Sequence, residues 1–323
     1  MFKYSIIMPV FNSESTLEIS INSVINQTYS NWELIVIDDG STDNSFQILE
    51  NFKEKDERIR IFKQENAGPG IARNNGINKS SGDYILFLDA DDYYELDLIE
   101  KVNSLNEKSS QDLIFISMIN EDKIGKVKNI IKVGEFSKYK KEDYLNMVIM
   151  GTLPWGPCSK IVKKDIIKDT LFLKLPVGEE IIYSYDIINK ADKIAFIDKP
   201  LYHYVHNDSG QHTKGGIDPW CEVVITMSNY LKEKNIYQKH CDSVRCLALK
   251  ALLISIYRIS NSNSLVNARG LIRQKCKFYF NDFKLNKFST QFLDKKSKIL
   301  YILIRLKFYF ILILFSKIRN IKK

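Results

Sequence analysis

The sequence predicts an α/β fold: a mostly parallel sheet flanked by helices, followed by a helical C-terminal extension. Three observations carry that expectation. Short apolar runs suited to buried strands alternate with segments of helical periodicity over about the first 115 residues, the signature of βαβ units. Each of the main runs stops at polar, turn-forming residues, as strands of such sheets do at their carboxyl ends. Finally, 323 residues that are 45% hydrophobic and 12% aromatic suffice for one large core plus an appendage.

In order, strands are expected at Tyr4 to Met8, Glu33 to Asp38, Ile59 to Lys63, Tyr84 to Leu88 and Leu113 to Ser117. Between the first two, residues 15–26 place Leu17, Ile21, Val24 and Ile25 on one helical face, with Ser13 or Ser15 as the cap. A second helix, Asn44 to Phe52, follows the capping signal Ser41-Thr42-Asp43. Farther on, Trp220 to Tyr257 reads as helical, with Val223, Val224, Met227, Tyr230 and Leu231 at helical spacing as core residues.

Ligands of parallel sheets bind at the carboxyl ends of the strands. Here those ends read Pro9-Val10-Phe11-Asn12, Asp38-Asp39-Gly40-Ser41-Thr42-Asp43 and Asp89-Ala90-Asp91-Asp92. Each has an ordinary use as a turn or cap, but six carboxylates on one rim exceed what turns need. Like charges so close raise one another's pKa unless a cation sits among them. Mn²⁺ or Mg²⁺ fits, because these ions take one or two protein carboxylates and complete their shell with water and substrate phosphates. Between the second and fourth strands, "ENAGPGIARNNGI" offers Gly68 and Gly70 for close backbone approach and Arg73 as a fork for phosphate. A dinucleotide fingerprint is disfavoured, since the loop follows the third strand and Arg73 stands where the last glycine belongs.

MPVFN, VIDDGSTD, ENAGPGIARNNGI and FLDADD, in this order and spacing, resemble family 2 of the inverting glycosyltransferases, whose nucleotide-sugar domain has the GT-A fold. The likeness is strong over residues 1–120 and looser through "WGPCSKI", "VGEEIIYS" and "KPLYHYVHNDSG". It implies that Pro9 and Asn12 line the nucleotide pocket and that Asp39 accepts a hydrogen bond from the uracil of a UDP-sugar. Arg73 would lie close to the donor. Asp89 and Asp91 would form the DxD element on ribose and metal, with Asp91 or Asp92 the direct metal ligand. The family's general base lies in a Gly-Glu-Asp segment; this chain has Gly178-Glu179-Glu180, so Glu180 takes that place with a side chain one methylene longer. A solvated acidic helix start is the alternative use of Glu179 and Glu180. Trp155 and Lys160 are candidates for the acceptor side, Trp155 alternatively for the core. For His203 and His206 a surface or core role is favoured over help to the metal. The implied organisation is a nucleotide-sugar half (residues 1–120), an acceptor half (121–215), a helical region (216–296) and a basic apolar tail (297–323).

Charge is distributed unevenly. From Lys295 onward the chain holds nine Lys or Arg and no acid; removing those nine from the total of 47 leaves 38 basic against 39 acidic residues. A neutral body argues against a nucleic-acid surface. The tail contains a 17-residue stretch, Ile299 to Phe315, that is apolar except for Arg305 and Lys307 near its middle. Mid-span charges make a crossing helix costly, so a helix lying in the interface on anionic headgroups is expected, with packing on the chain's own body or on a second subunit as the alternative. The N-terminal apolar run is too short for a signal peptide, and five scattered cysteines suggest neither a disulfide framework nor zinc. The expectation is an enzyme on the cytoplasmic face of the cell membrane, moving a sugar to a lipid-linked or polysaccharide acceptor. A nucleotidyltransferase on a similar sheet, or a membrane scaffold with a decayed site, are the alternatives.

Overall fold

A computed structural model of the chain describes residues 1–174, 178–206, 219–287, 293 and 295–321. Its first elements are β1 (Tyr4–Val10), α1 (Leu17–Ile25), β2 (Trp32–Asp38), α2 (Ser45–Lys53), β3 (Ile59–Lys63), α3 (Pro69–Lys79), β4 (Tyr84–Phe87) and β5 (Tyr93–Tyr94). Then come α4 (Leu98–Lys108), β6 (Leu113–Asp122), β7 (Val127–Ile131), α5 (Lys141–Ile149), β8 (Lys160–Lys163), α6 (Lys164–Ile167), α7 (Glu179–Lys190) and β9 (Ile194–His206). The rest is helical: α8 (Pro219–Glu233), α9 (Tyr237–Ser262), α10 (Leu265–Asp282), α11 (Lys295–Arg305) and α12 (Tyr309–Ile321).

The strands form one sheet in the order β3-β2-β1-β4-β8-β6-β9-β5, with β7 paired to β6. β3, β2, β1 and β4 are parallel, so Ile6 aligns with both Leu34 and Leu86. Strands of a parallel sheet are covered on both faces, which explains why β2 and β4 are buried at every residue and why β4 and the middle of β2, Leu34 to Ile37, read as apolar runs. α3 lies directly on β1: a Cβ on Gly76 would collide with Ile7, so only glycine permits that approach. Beyond β4 the sheet turns mixed, with β8 antiparallel to β4 and β6. β9 then runs parallel to β6 and antiparallel to β5.

Several expectations shift in detail. Thr16 rather than Ser13 or Ser15 precedes α1, and its hydroxyl donates to Ala90 O at 2.8 Å, across to the loop after β4. The strand expected over Leu113 to Ser117 continues to Asp122 because its far half pairs with both β7 and β9. The helix expected from Trp220 to Tyr257 is two, α8 and α9, parted at Asn235, whose φ of 59° is the left-handed conformation asparagine tolerates. The apolar tail also breaks. Lys307 has φ 61°, its N–H donates to Ile304 O at 3.0 Å, and Phe308 N–H donates to Leu303 O at 2.9 Å, a Schellman-type stop without glycine. Among the described residues no helix is long and apolar enough to cross a membrane.

The chain divides into two compact units. One holds Met1–Leu145, Leu153–Leu175 and Glu179–Gln211, and contains the whole sheet. The other holds Asn146–Thr152, Pro176–Gly178 and His212–Lys323, with its core on the buried face of α9, including Val244, Leu247, Leu249 and Leu252.

Candidate active site

Because β2, β1 and β4 are neighbours, their carboxyl ends bring the polar motifs together. Pro9 stands next to last in β1, part-exposed, level with Ile37 of β2. Asn12 follows in the left-handed region (φ 49°), and its side-chain oxygen accepts from Thr42 N at 2.8 Å, while its own N–H donates to Ser41 Oγ at 3.1 Å. Those bonds join the loops after β1 and β2. Asp38 closes its own turn, accepting from Ser41 N at 3.1 Å.

Asp39 is buried and organises the glycine loop. Oδ1 accepts from Gln64 Nε2 (2.7 Å) and Ala67 N (2.8 Å), and Oδ2 from Gly68 N (2.8 Å). A carboxylate has about four lone-pair sites, so one on Oδ2 is left. Gly68, at φ 91°, turns the chain into α3, where Pro69 starts the helix. Of the two glycines expected to admit a ligand, Gly70 has its free face against Phe172, whereas nothing lies within 4 Å of a Cβ on Gly68. One turn on, Arg73 is 4% exposed, with Nη2 donating to Asp89 Oδ1 at 2.7 Å and the Phe172 ring centroid 5.5 Å away. Its Nε and Nη1 are buried without a hydrogen-bond partner.

The three aspartates after β4 have different surroundings. Asp89 takes the Arg73 bond on Oδ1 and the Cys158 thiol at 3.3 Å on Oδ2. Asp91 is part-exposed. Asp92, expected to share the metal, is 1% exposed, and β9 occupies both its oxygens: Tyr202 OH donates to Oδ2 at 2.6 Å and Val205 N to Oδ1 at 2.8 Å. The Tyr202 oxygen also accepts from Asp89 N at 3.3 Å, so one hydroxyl spaces the two ends of the motif. Burial first, then the charges of Asp89 and Asp91, push the Asp92 carboxyl well above the usual carboxylate range. Burial and Asp89 likewise push the Cys158 thiol up, which makes it a hydrogen-bond donor and not a nucleophile.

Glu180, in the first turn of α7, reaches the same place. Its Oε1 lies 3.9 Å from Arg73 Nη1, with the side chain 34% exposed. Burial raises its pKa, helped by the charges of Glu179 and Asp89 and opposed by Arg73 and Lys160. A carboxyl that holds its proton more firmly than usual is a better proton acceptor once ionised. The geometry therefore joins Asp89, Arg73 and Glu180 in one chain across the rim. His203 is engaged elsewhere, with Nε2 2.9 Å from Glu95, Nδ1 3.4 Å from Glu121 and its ring stacked on Tyr93 at 4.2 Å. The end of "KPLYHYVHNDSG", residues 207–210, and Val177 lie outside the described residues. Tyr202 and Cys158 were not singled out from the sequence; both sit inside recognised stretches, but only pairing of β9 and β8 with the rest of the sheet brings them to Asp89.

Among the described residues no cluster of three or more His, Cys, Asp or Glu could hold a metal by itself. The donor set suits an ion that takes a single protein carboxylate, Asp91, next to two further carboxyls whose mutual charge is incompletely offset by Arg73.

Residues 5–161 match the family described as "Glycosyl transferase family 2". The glycosyltransferase GlyA of Streptococcus pneumoniae is 30% identical over 216 residues, 62% of this chain and 30% of that protein. The putative glycosyltransferase EpsH of Bacillus subtilis is 27% identical over 274 residues, 81% of this chain and 79% of that protein. This chain thus spans under a third of GlyA but most of EpsH. Among solved structures, Staphylococcus aureus TarS 1–349 in complex with UDP-GlcNAc superposes with a TM-score of 0.59 at 19% identity, over 94% of this chain and 79% of that one. The shared architecture is the GT-A fold expected from the four motifs.

Proposed function

Because the chain carries a family 2 glycosyltransferase domain of GT-A fold, we propose that it is a metal-dependent inverting glycosyltransferase that moves a sugar from a UDP-sugar to a lipid-linked or polysaccharide acceptor in cell-surface glycan synthesis. The observation that carries this reading is the Asp89–Arg73–Glu180 chain, which sets a donor-side aspartate and a carboxyl of raised pKa on the two ends of one buried guanidinium. The complex of TarS with UDP-GlcNAc favours UDP as the nucleotide.

Pro9, Asn12 and the free lone pair of Asp39 would receive the nucleotide, and Nε and Nη1 of Arg73, which make no hydrogen bond, would donate to the donor's oxygens. Mn²⁺ or Mg²⁺ on Asp91, when bound, supplies Lewis-acid stabilisation of the departing diphosphate. Glu180 takes the proton from the acceptor hydroxyl as its oxygen attacks the anomeric carbon and the bond to UDP breaks, so one displacement inverts the configuration. Asp92 and Tyr202 act behind the site, fixing the spacing of Asp89 and Asp91. The test is a panel of UDP- and GDP-sugars incubated with manganese. Release of nucleoside diphosphate supports glycosyl transfer, release of sugar 1-phosphate would replace it with nucleotidyl transfer, and no turnover of any donor would leave a decayed scaffold.

The C-terminal helices suit a membrane surface. α11 and α12 expose Ile299, Ile302, Leu306, Phe308, Phe310 and Leu314, and Arg305 and Lys307 are exposed among them at the break. Apolar residues interleaved with cations suit an anionic lipid surface, where the cations meet headgroups and the apolar groups enter below them. That supports the reading of a protein held peripherally, on the cytoplasmic face. Co-sedimentation with anionic vesicles, weakened by 1 M salt and absent with neutral vesicles, is expected. A stable dimer in solution without vesicle binding would assign the same surface to a second copy.

A further inference from the structure

Lys160 opens β8 and is 1% exposed, an expensive position for a cation. Its ammonium donates to three successive carbonyls, Pro154 O (2.9 Å), Trp155 O (3.1 Å) and Gly156 O (2.7 Å), and approaches Ser159 Oγ at 3.3 Å. Burial draws its pKa down to about 7, countered chiefly by the field of Glu180. Three carbonyl acceptors match the three N–H bonds of the charged form. The loop it holds is tied at both ends to the reacting groups. Ser184 Oγ, one turn beyond Glu180 on α7, donates to Trp155 O at 2.6 Å, and Cys158 Sγ donates to Asp89 at 3.3 Å. The Trp155 side chain, part-exposed, therefore sits on a stretch fixed between the base helix and the donor aspartate.

We propose that Lys160 is a positioning residue that holds Trp155 as the platform on which the acceptor's sugar ring stacks, presenting a hydroxyl to Glu180. A pyranose offers a face of C–H bonds to an aromatic ring, and a loop pinned by four donated hydrogen bonds loses little freedom when it binds.

The inference rests on the glycosyl-transfer reading, and the experiment separates the two. Wild type, Lys160→Met, Ser184→Ala and Trp155→Ala are assayed for UDP release with the UDP-sugar that turns over fastest. Each is run alone and with a panel of p-nitrophenyl glycosides as acceptors. Lys160→Met and Trp155→Ala should each raise the KM for the stimulating glycoside about tenfold, the worth of one aromatic contact, with the donor KM changed by less than about twofold. Ser184→Ala, a milder cut in the same tether, should move the acceptor KM in the same direction and keeps the test alive if Lys160→Met does not fold. Combining Lys160→Met with Trp155→Ala should be no worse than Trp155→Ala alone, because both remove one interaction. An acceptor KM unmoved in the folded variants, an equal rise in donor KM, or a wild type stimulated by no glycoside would overturn the inference. Failure of every UDP-sugar to turn over would instead defeat the transfer reading.

Discussion

Replacing Glu33 with Gln should unmoor the sheet end opposite the active site, and the size of the effect follows from its surroundings. The carboxylate, 5% exposed on β2, accepts from Ser5 Oγ at 2.6 Å, Ser81 N at 2.6 Å and Ser81 Oγ at 2.9 Å. It also pairs with Lys3 at 3.3 Å and Arg60 at 3.2 Å. Burial by itself raises its pKa, but the bonds from Ser5 and Ser81 and the charge of Lys3 overcome that and bring it to about 2 from an ordinary 4.5. At 1.36 kcal/mol per unit, this linkage stabilises the fold by roughly 3 kcal/mol. Because the folded value is depressed, the stabilisation is fully present above pH 4.5 and is lost as pH falls toward 2. Glu33→Gln should therefore be about 2–3 kcal/mol less stable at pH 7, with the gap closing as the pH approaches 2. Urea unfolding followed by tryptophan fluorescence, with the buried Trp32 next in the chain as reporter, measures both values. A variant as stable as wild type at pH 7, or a gap that does not change with pH, would refute the reasoning.

Two further outcomes bear on the site. Glu180→Gln keeps shape and hydrogen bonding but cannot accept a proton, so transfer should fall about 10²- to 10⁴-fold in a steady-state assay; near-normal turnover would move the base elsewhere. If Glu180 is the base, it works only when ionised, and because its pKa is raised the acid limb of wild-type kcat/KM should lie above the ordinary glutamate value of 4.5; a limb at or below it would contradict that environment. Tyr202→Phe strips the hydroxyl from a buried Asp92 oxygen and should cost about 1–3 kcal/mol in thermal unfolding while raising the donor KM; an unchanged Tm would show that the bond matters little.

Much of this rim can be read along the chain because its physics is local. A parallel strand buried on both faces is mostly apolar, so β1, β2 and β4 announce themselves, and the aspartates at or after their ends must lie on one rim. What separates Asp91 from Asp92 is not local. Tyr202 and Val205 claim Asp92 from positions 110 and 113 residues away, and nothing in "DADD" says which carboxylate faces inward. Lys160 stands out in the sequence as an acceptor-side candidate, but its burial does not: a lysine at the start of a strand ordinarily points to solvent, and only the fold closes three carbonyls around it. The breaks at Asn235 and Lys307 are hidden for another. Left-handed residues that are not glycine carry a weaker sequence signal, so one long apolar period runs through two helices at each place.

Equilibrium binding of UDP, with and without manganese, to the wild type, Asp91→Ala and Glu180→Gln probes the donor site without depending on the acceptor. If the strand ends form a metal-assisted nucleotide site with Glu180 acting only as base, wild type and Glu180→Gln should bind UDP alike and more tightly with manganese, while Asp91→Ala loses the manganese-dependent part. Manganese-independent binding that survives Asp91→Ala, or no binding of UDP by the wild type, would contradict the account.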